Sequence, residues 1–595
     1  MKIAKNTQGK IVNIAESFED EEYICPVCKE KLKRNFGVER QYFSHPKGLG
    51  DDCELKMKQY ENSNLELSED DIIFLKKNLY DYDFKDMNIE MSNYISEEGY
   101  PLTKQQVDII NSTEDRIKVE ASAGASKSTT LYYYSKERPN KRILYLVYNS
   151  AMKKEAEQTF GKLKNVTIKT VHGLAYTYTG KLYKNKLTVN YKPIDVVRDL
   201  NLDIISNKNV FELAVRVHHL LTTYMLSEKE NIRDIELFTD EKFKKEDKEL
   251  IYKNAEKLWE LKSNYNNNVG VEHDFYLKQF QLMKKDLSSQ YDIVLLDEAQ
   301  DSNMLTFDLV NNFNIKGVVF VGDRFQMLYK WRGATNVIDL LENAKEYRLT
   351  TSFRVSQNIA QISNMLIKDV YGYDFGMTGF NKDNKIVEKI DINKPYTLLS
   401  RTNGNLFQEA ISALECNKKL YFEGGFQSYR FKDIEDCYYF SEGNPTNNPI
   451  LNKFKDYFEM QDYAEKNNDL ELLSLIKTVN KYGDEIPKLI HRVKTNTKQY
   501  KKDADIIFTT IHKSKGQTYG NVKLADDTFD ISDYFTKKYI LLEKIEKEKE
   551  QEAKEEMCVI YVAITRAKGE IQLNDKLKKY LVDRMNMLGT EKPKK

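Results

Sequence analysis

From Leu102 to Leu573 the chain repeats one pattern: a short apolar run, a turn of small or polar residues, then a stretch with helical periodicity. Strands that read as near-continuous apolar runs are buried on both faces, and helices must cover those faces. The pattern therefore restricts the chain to parallel sheets flanked by helices, an α/β fold class. A first set of strand candidates comprises Ile117-Lys118-Val119, Ile143–Tyr148, Val166–Val171, Ile293–Leu296 and Val318–Val321. A second set, Thr397-Leu398-Leu399, Ile506–Ile511 and Ile571-Gln572-Leu573, predicts a second α/β core.

Two insertions interrupt the pattern, a mostly helical one over about 173–290 and a polar, Lys/Asn-rich one over about 426–503. The expected organisation is a Cys-containing module at 1–60, a linker with a short helix at 61–100, one core at 101–352 and a second at 353–595. The charged run Leu541–Met557 predicts a solvated helix with mixed-sign pairs.

Composition narrows the function classes. The chain has 595 residues, 92 basic and 92 acidic, so bulk charge does not advertise nucleic acid and any such surface is local. No run approaches the roughly 18–20 apolar residues of a membrane span, and the N-terminus has no signal-peptide stretch. Six cysteines, three of them near the start, do not make a disulfide framework for a chain this long. A reducing cytoplasm, with no membrane partner, is expected.

After the first strand candidate comes Ala121-Ser122-Ala123-Gly124-Ala125-Ser126-Lys127-Ser128-Thr129. A small-residue turn can aim backbone N–H groups at phosphate, with a lysine for the β/γ-phosphates and a hydroxyl for Mg²⁺. Ala123 to Ser126 fit the turn, Lys127 and Ser128 fit the two side-chain roles, and Ser128 and Thr129 open the helix. Ser126 stands where the motif has glycine. Alone, the segment equally suits a strand-to-helix turn with no nucleotide.

The strand Ile293–Leu296 ends in Asp297-Glu298, where one carboxylate can hold Mg²⁺ and the next can polarise water. By themselves the two acids also suit the start of a helix. Val318–Val321 leads to Gly322-Asp323-Arg324-Phe325-Gln326, with Gln326 able to sense a γ-phosphate. Tyr329, Trp331 and Arg332 follow, aromatics interleaved with cations as base stacking requires.

In this order the segments resemble those of superfamily 1 DNA helicases of the UvrD/Rep/PcrA type, and most of all the F-box DNA helicase branch and its phage-encoded relatives. The resemblance spans about Leu102 to Leu573. It implies two RecA-like P-loop NTPase domains and ATP with Mg²⁺ as cofactors. Leu102-Thr103-Lys104-Gln105-Gln106 is similar to the adenine-reading segment, which makes Gln106 the base contact. Tyr148 and the pair Thr170 and His172 match DNA-contacting segments, as does His512 within Thr510–Gly516. Arg354, in Thr351-Ser352-Phe353-Arg354, and Arg566, in Tyr561–Ala567, match the two arginine fingers. Lys127, Asp297, Glu298 and Gln326 complete the implied catalytic set. The chain departs from the family at Ser126 and at Gly516-Gln517-Thr518-Tyr519, where Thr518 replaces a ribose-contacting Glu. Its second insertion is a reduced accessory domain.

Cys25, Cys28, His45 and Cys53 offer three thiols and an imidazole, a donor set suited to structural Zn²⁺. The redox reading of Cys25-Pro26-Val27-Cys28 lacks a preceding thioredoxin-like strand. Tyr42-Phe43-Ser44-His45 with Cys53 resembles the zinc-binding start of CoiA-like proteins, although no nuclease carboxylate cluster follows.

The expected activity is ATP-driven 3′→5′ movement on single-stranded DNA with unwinding, in replication, recombination or repair. The implied partners are single-stranded DNA, single/double-strand junctions, and recombinase filaments or replication proteins, in a bacterial or phage-infected cell. Two alternatives stand beside it: a translocase that mainly strips proteins from DNA, and a single-stranded-DNA binder with a degenerate ATP site.

Overall fold

The computed structural model describes residues 3–6, 11–13, 23–24, 31–36, 41–44, 67–75, 90–95, 101–188, 191–202, 210–237, 245–328, 336–448, 450–467 and 469–590. The chain divides into two compact units, 1–77 with 575–595, and 78–574. In the smaller unit an antiparallel sheet has the order Ile11–Asn13, Ile3–Asn6, Tyr23–Ile24, Lys31–Phe36, Gln41–Ser44. The helices Glu69–Leu75 and Asp575–Thr590 pack together in the same unit. Cys25, Cys28, His45 and Cys53 lie outside the described residues.

The larger unit contains two six-stranded parallel sheets. The first consists of β1 (Arg116–Ala121), β2 (Ile143–Val147), β3 (Val166–Thr170), β4 (Ile293–Leu296), β5 (Gly317–Gly322) and β6 (Lys345–Leu349), in the order β3-β2-β4-β5-β1-β6. The second consists of β7 (Lys385–Val387), β8 (Tyr396–Ser400), β9 (Leu420–Phe422), β10 (Ile506–Thr510), β11 (Val522–Leu524) and β12 (Glu570–Gln572), in the order β7-β12-β11-β8-β10-β9. In β4 all four side chains are buried, each contributing about 1.5–3 kcal/mol by leaving water.

Four of these strands escape a search for apolar runs. β6, β7 and β9 are sheet edges with one neighbouring strand each, and β6 carries exposed Lys345, Glu346 and Arg348. β11 is internal but only three residues long. The predicted solvated helix is also corrected. It runs Lys547–Ile564, and Ala553, Glu556 and everything from Met557 to Ile564 are buried, because its second half turns into the core.

The two insertions are built differently. The first packs Pro193–Leu200, Val210–Leu226 and Lys245–Ser263 around a cluster of its own, with Val196, Val217, Leu221 and Leu258 at its centre. In the second, Ile434, Met460, Ile476 and Val493 join Leu420, Phe422 and Phe508 of the sheet in one core. The second insertion is thus an extension of its parent core.

Candidate active site

Because each sheet is parallel, its loops at the C-terminal strand ends converge, and such ends are where open α/β sheets bind ligands. In the first sheet β4, β5 and β1 are neighbours, which brings Asp297, Asp323 and the loop Ser122–Ser126 side by side. The loop turns through positive φ at Gly124 (+76°) and Ser126 (+56°), and the helix Lys127–Lys136 starts directly after. A Cβ on Gly124 would stand 2.5 Å from Arg354 Cβ, so both backbone shape and space demand glycine there. The loop is held by Ser352 Oγ donating to Ala123 O (2.6 Å), Phe353 N donating to Gly124 O (2.9 Å) and Ala123 N donating to the Tyr561 hydroxyl (3.0 Å). Ala123 and Ala125 are buried, while Ser128 and Thr129 are exposed on the first helical turn.

Lys127 Nζ pairs with Glu298 Oε1 at 3.0 Å. Burial opposes the lysine's charge, but Glu298, Asp297 and Asp323 outweigh it and raise its pKa. Burial and the charge of Glu298 push Asp297 up, whereas Glu298 is pulled down by Lys127 and Lys515 against its own burial. Burial also lifts Asp323 and Asp301 to about 6 each. Glu298 sits in left-handed backbone (φ +51°), a conformation that costs a non-glycine residue energy and clusters at functional sites. Its other carboxylate oxygen accepts Gln300 Nε2 at 2.5 Å.

The second core sends cations against these acids. Lys515 Nζ bonds both oxygens of Asp301, at 2.7 and 2.5 Å, and also the carbonyl of Gln326. Arg566, 1% exposed, donates to Gln326 Oε1 (3.1 Å), Gln517 O (3.2 Å) and Val562 O (3.1 Å). Burial, with Arg354 beside it, lowers Arg566 to about 9, which leaves it cationic at neutral pH. Arg354 Nη1 reaches Thr565 O at 3.4 Å, so both arginines meet at the end of the helix Lys547–Ile564. Lys127, Asp297, Glu298, Gln326, Arg354 and Arg566 are therefore gathered in one place.

Other singled-out residues lie elsewhere or serve the fold. Gln106 is buried and spent internally: its Oε1 accepts Thr103 N (3.0 Å) and its Nε2 donates to Thr130 Oγ1 (3.2 Å), closing a capping box on the helix Lys104–Ile110. Tyr148 follows β2 and is exposed. Thr170 caps the helix Val171–Tyr178, and His172 Nε2 lies 3.0 Å from Asp274 Oδ1. His512 follows β10, and burial, then Arg401 and Lys515, lower its pKa to about 4. Tyr329, Trp331 and Arg332 lie outside the described residues.

The donor set suits a magnesium–triphosphate. Tyr145 donates to Asp297 Oδ2 at 2.7 Å and so orients the carboxylate proposed for the ion. All these donors are oxygens, as Mg²⁺ prefers. Among the described residues no group of three or more His, Cys, Asp and Glu is arranged to hold a metal ion. Among the described residues no helix is long and apolar enough to cross a membrane. Sequence reasoning did not single out Tyr561, Lys515 or Asp323. Tyr561 is embedded in an apolar helix and reads as core, and the partners of Lys515 lie more than 180 residues away.

Comparison with known proteins agrees with this geometry. Residues 102–347 match the model of the UvrD/REP helicase N-terminal domain. F-box DNA helicase 1 of Gallus gallus is 28% identical over 81% of this chain and 50% of its own length. F-box DNA helicase protein 1 of Schizosaccharomyces pombe is 26% identical over 78% of this chain and 56% of its own. A probable DNA helicase II homolog of Mycoplasma genitalium is 24% identical over 46% of this chain and 43% of its own. The chain spans about half the length of these curated relatives.

Proposed function

We propose that this chain, whose residues 102–347 match the UvrD/REP helicase N-terminal domain, is a UvrD-like superfamily 1 ATP-dependent DNA helicase moving 3′→5′ on single-stranded DNA. The observation that carries the proposal is the meeting of Lys127 and Glu298 from the first core with Gln326-bound Arg566 from the second. Bound Mg²⁺ would neutralise phosphate charge, with Ser128 and Asp297 as its protein ligands. Lys127 carries three N–H donors, enough to bond phosphate oxygens while it orients Glu298. Glu298, kept ionised by Lys127 and Lys515, is the group to polarise the attacking water. Arg354 and Arg566 stabilise the transferring phosphoryl when the cores close.

In this reading the motor domains are 101–352 and 353–595. Tyr148, Thr170, His172, Tyr329, Trp331, Arg332 and His512 touch a strand whose bases stack regardless of identity. Gln106 reads the adenine only if its capping bonds open. The substrates are single-stranded DNA and single/double-strand junctions, in replication, recombination or repair. Residues 1–60 hold structural zinc through Cys25, Cys28, His45 and Cys53, and about one zinc per chain, lowered by Cys25→Ser, is the expected metal content.

The deciding assay measures ATP hydrolysis with and without single-stranded DNA, and unwinding of duplexes with 3′ or 5′ tails. Stimulated hydrolysis lost in Lys127→Ala, by about 10²–10³-fold, and a 3′-tail preference are expected. DNA binding without any turnover would replace this proposal with the degenerate-site alternative.

A further inference from the structure

The hydroxyl of Tyr561 stands at the centre of a chain of hydrogen bonds that crosses the cleft. It accepts the backbone N–H of Ala123 in the phosphate loop (3.0 Å) and donates to Asp323 Oδ2 (3.1 Å). The same Asp323 oxygen accepts Gln326 Nε2 at 2.7 Å, and Asp323 Oδ1 accepts Phe325 N at 3.1 Å. With its amide nitrogen committed to Asp323, Gln326 turns its Oε1 toward Arg566, which bonds it at 3.1 Å. Arg566 lies just beyond the helix Lys547–Ile564 that carries Tyr561, so the path returns to its start. Both Tyr561 and Asp323 are fully buried, where water cannot replace a missing partner.

A tyrosine in such a helix is ordinarily core, and part of this one is. Its ring packs edge-on against Phe325 at 5.8 Å. The ring alone, however, does not require an oxygen. Phenylalanine would fill the same space, and burying a phenol costs free energy unless both its donor and its acceptor are used. Here both are used, and both reach residues of the first core.

We propose that Tyr561 is a positioning residue that couples the phosphate loop to the Gln326–Arg566 pair, through its hydroxyl and the carboxylate of Asp323. This rests on the reading of the site as an ATPase. The hydroxyl fixes one loop N–H and one carboxylate rotamer. The carboxylate fixes which face of the Gln326 amide meets Arg566. A shift of the phosphate loop is thereby transmitted to the arginine from the second core without a contact between Arg566 and the loop.

The test is Tyr561→Phe, which keeps the ring and removes both bonds. Steady-state ATP hydrolysis with saturating single-stranded DNA gives kcat and KM for wild type, Tyr561→Phe, Gln326→Ala and the double variant. A positioning role predicts kcat reduced about tenfold or more, KM for ATP within about twofold of wild type, and a double variant no slower than Gln326→Ala alone. A merely structural role predicts independent, multiplying losses or a rise in KM alone, and either result overturns the proposal, as does an unchanged kcat. If Tyr561→Phe folds poorly, Asp323→Asn, which alters the shared acceptor, must show the same split. Hydrolysis in wild type with no effect in Tyr561→Phe removes only this inference. No hydrolysis in wild type removes the ATPase reading and this inference with it.

Discussion

The two cores approach their shared cleft with opposite chemistry. Strands of the first end in acids, Asp297, Glu298, Asp301 and Asp323, around a single ammonium, Lys127. The second contributes Lys515, Arg566 and the Tyr561 hydroxyl. The acids of the first core are buried without enough cations of their own, and burial lifts three of the four. The missing positive charge arrives from the second core. A site divided this way is complete only when closed, which is what a motor that gates hydrolysis by domain closure needs.

Removing the second core's charge should have the largest effect. Arg566→Ala is expected to lower DNA-stimulated kcat by about 10³-fold or more, the scale of an arginine finger, with little change in KM for ATP. The guanidinium touches Gln326 and main-chain carbonyls rather than the phosphate loop, so ground-state binding has little to lose. A loss under tenfold would mean that the first core stabilises the transition state unaided, and the division of labour would fail.

Lys515→Ala attacks the same division through stability. Asp301, already at about 6 from burial, rises further without its ammonium and takes up a proton at neutral pH. A carboxyl whose folded pKa lies above its ordinary 3.8 favours folding fully below that value and progressively less as pH rises through about 6. In the variant that decline continues to higher pH, whereas in wild type it stops near 6. The variant should therefore be less stable by about 1–2 kcal/mol at pH 7.5 and equal to wild type near pH 5. Thermal unfolding at the two pH values checks this, and a Tm deficit that is the same at both would show that Asp301 is not the group responsible.

His512 sharpens the contrast from the other side. Burial, Arg401 and Lys515 hold it neutral, with a folded pKa near 4 against an ordinary 6.5. Its contribution to stability is present above 6.5 and is lost as pH falls toward 4. His512→Asn should flatten the acid limb of the Tm–pH curve, by a few degrees between pH 6.5 and 4.5. An unchanged slope would place the acid sensitivity elsewhere. At neutral pH, then, His512 is a neutral hydrogen-bonding ring.

The same asymmetry explains what could be read from the amino-acid order. Residues of the first core announce themselves because each follows an apolar strand: Lys127 after β1, Asp297 and Glu298 after β4, Gln326 shortly after β5. Arg354 and Arg566 emerge only through resemblance, since a lone arginine has no local signature. Tyr561 and Lys515 act on partners more than 180 residues away, and no periodicity or spacing encodes such contacts. Gln106 shows the converse, a polar residue in a suggestive segment whose side chain is used in capping its own helix. The edge strand β6 stayed hidden for a related reason, because pairing on one side lets Lys345, Glu346 and Arg348 occupy a strand without an apolar run.

The smallest expected effect concerns the residue at which the phosphate loop departs from its pattern. Ser126 has φ +56° and ψ 44°, the left-handed conformation for which glycine is usual, and its side chain forms no cap to the helix that follows. That shape costs an L-residue about 1–2 kcal/mol, while glycine loses about 0.5–1 kcal/mol more backbone entropy on folding. Ser126→Gly should therefore stabilise by at most about 1.5 kcal/mol, a Tm rise of a degree or two in a chain of this size. If backbone shape is all that the motif's glycine provides, kcat and KM for ATP should stay within about threefold of wild type, because the serine already reaches that shape. A rise of tenfold or more in kcat/KM would show instead that the Ser126 side chain crowds the phosphate. The first core would then be the half that limits turnover, and the cations of the second core would be acting on a loop that binds its ligand imperfectly.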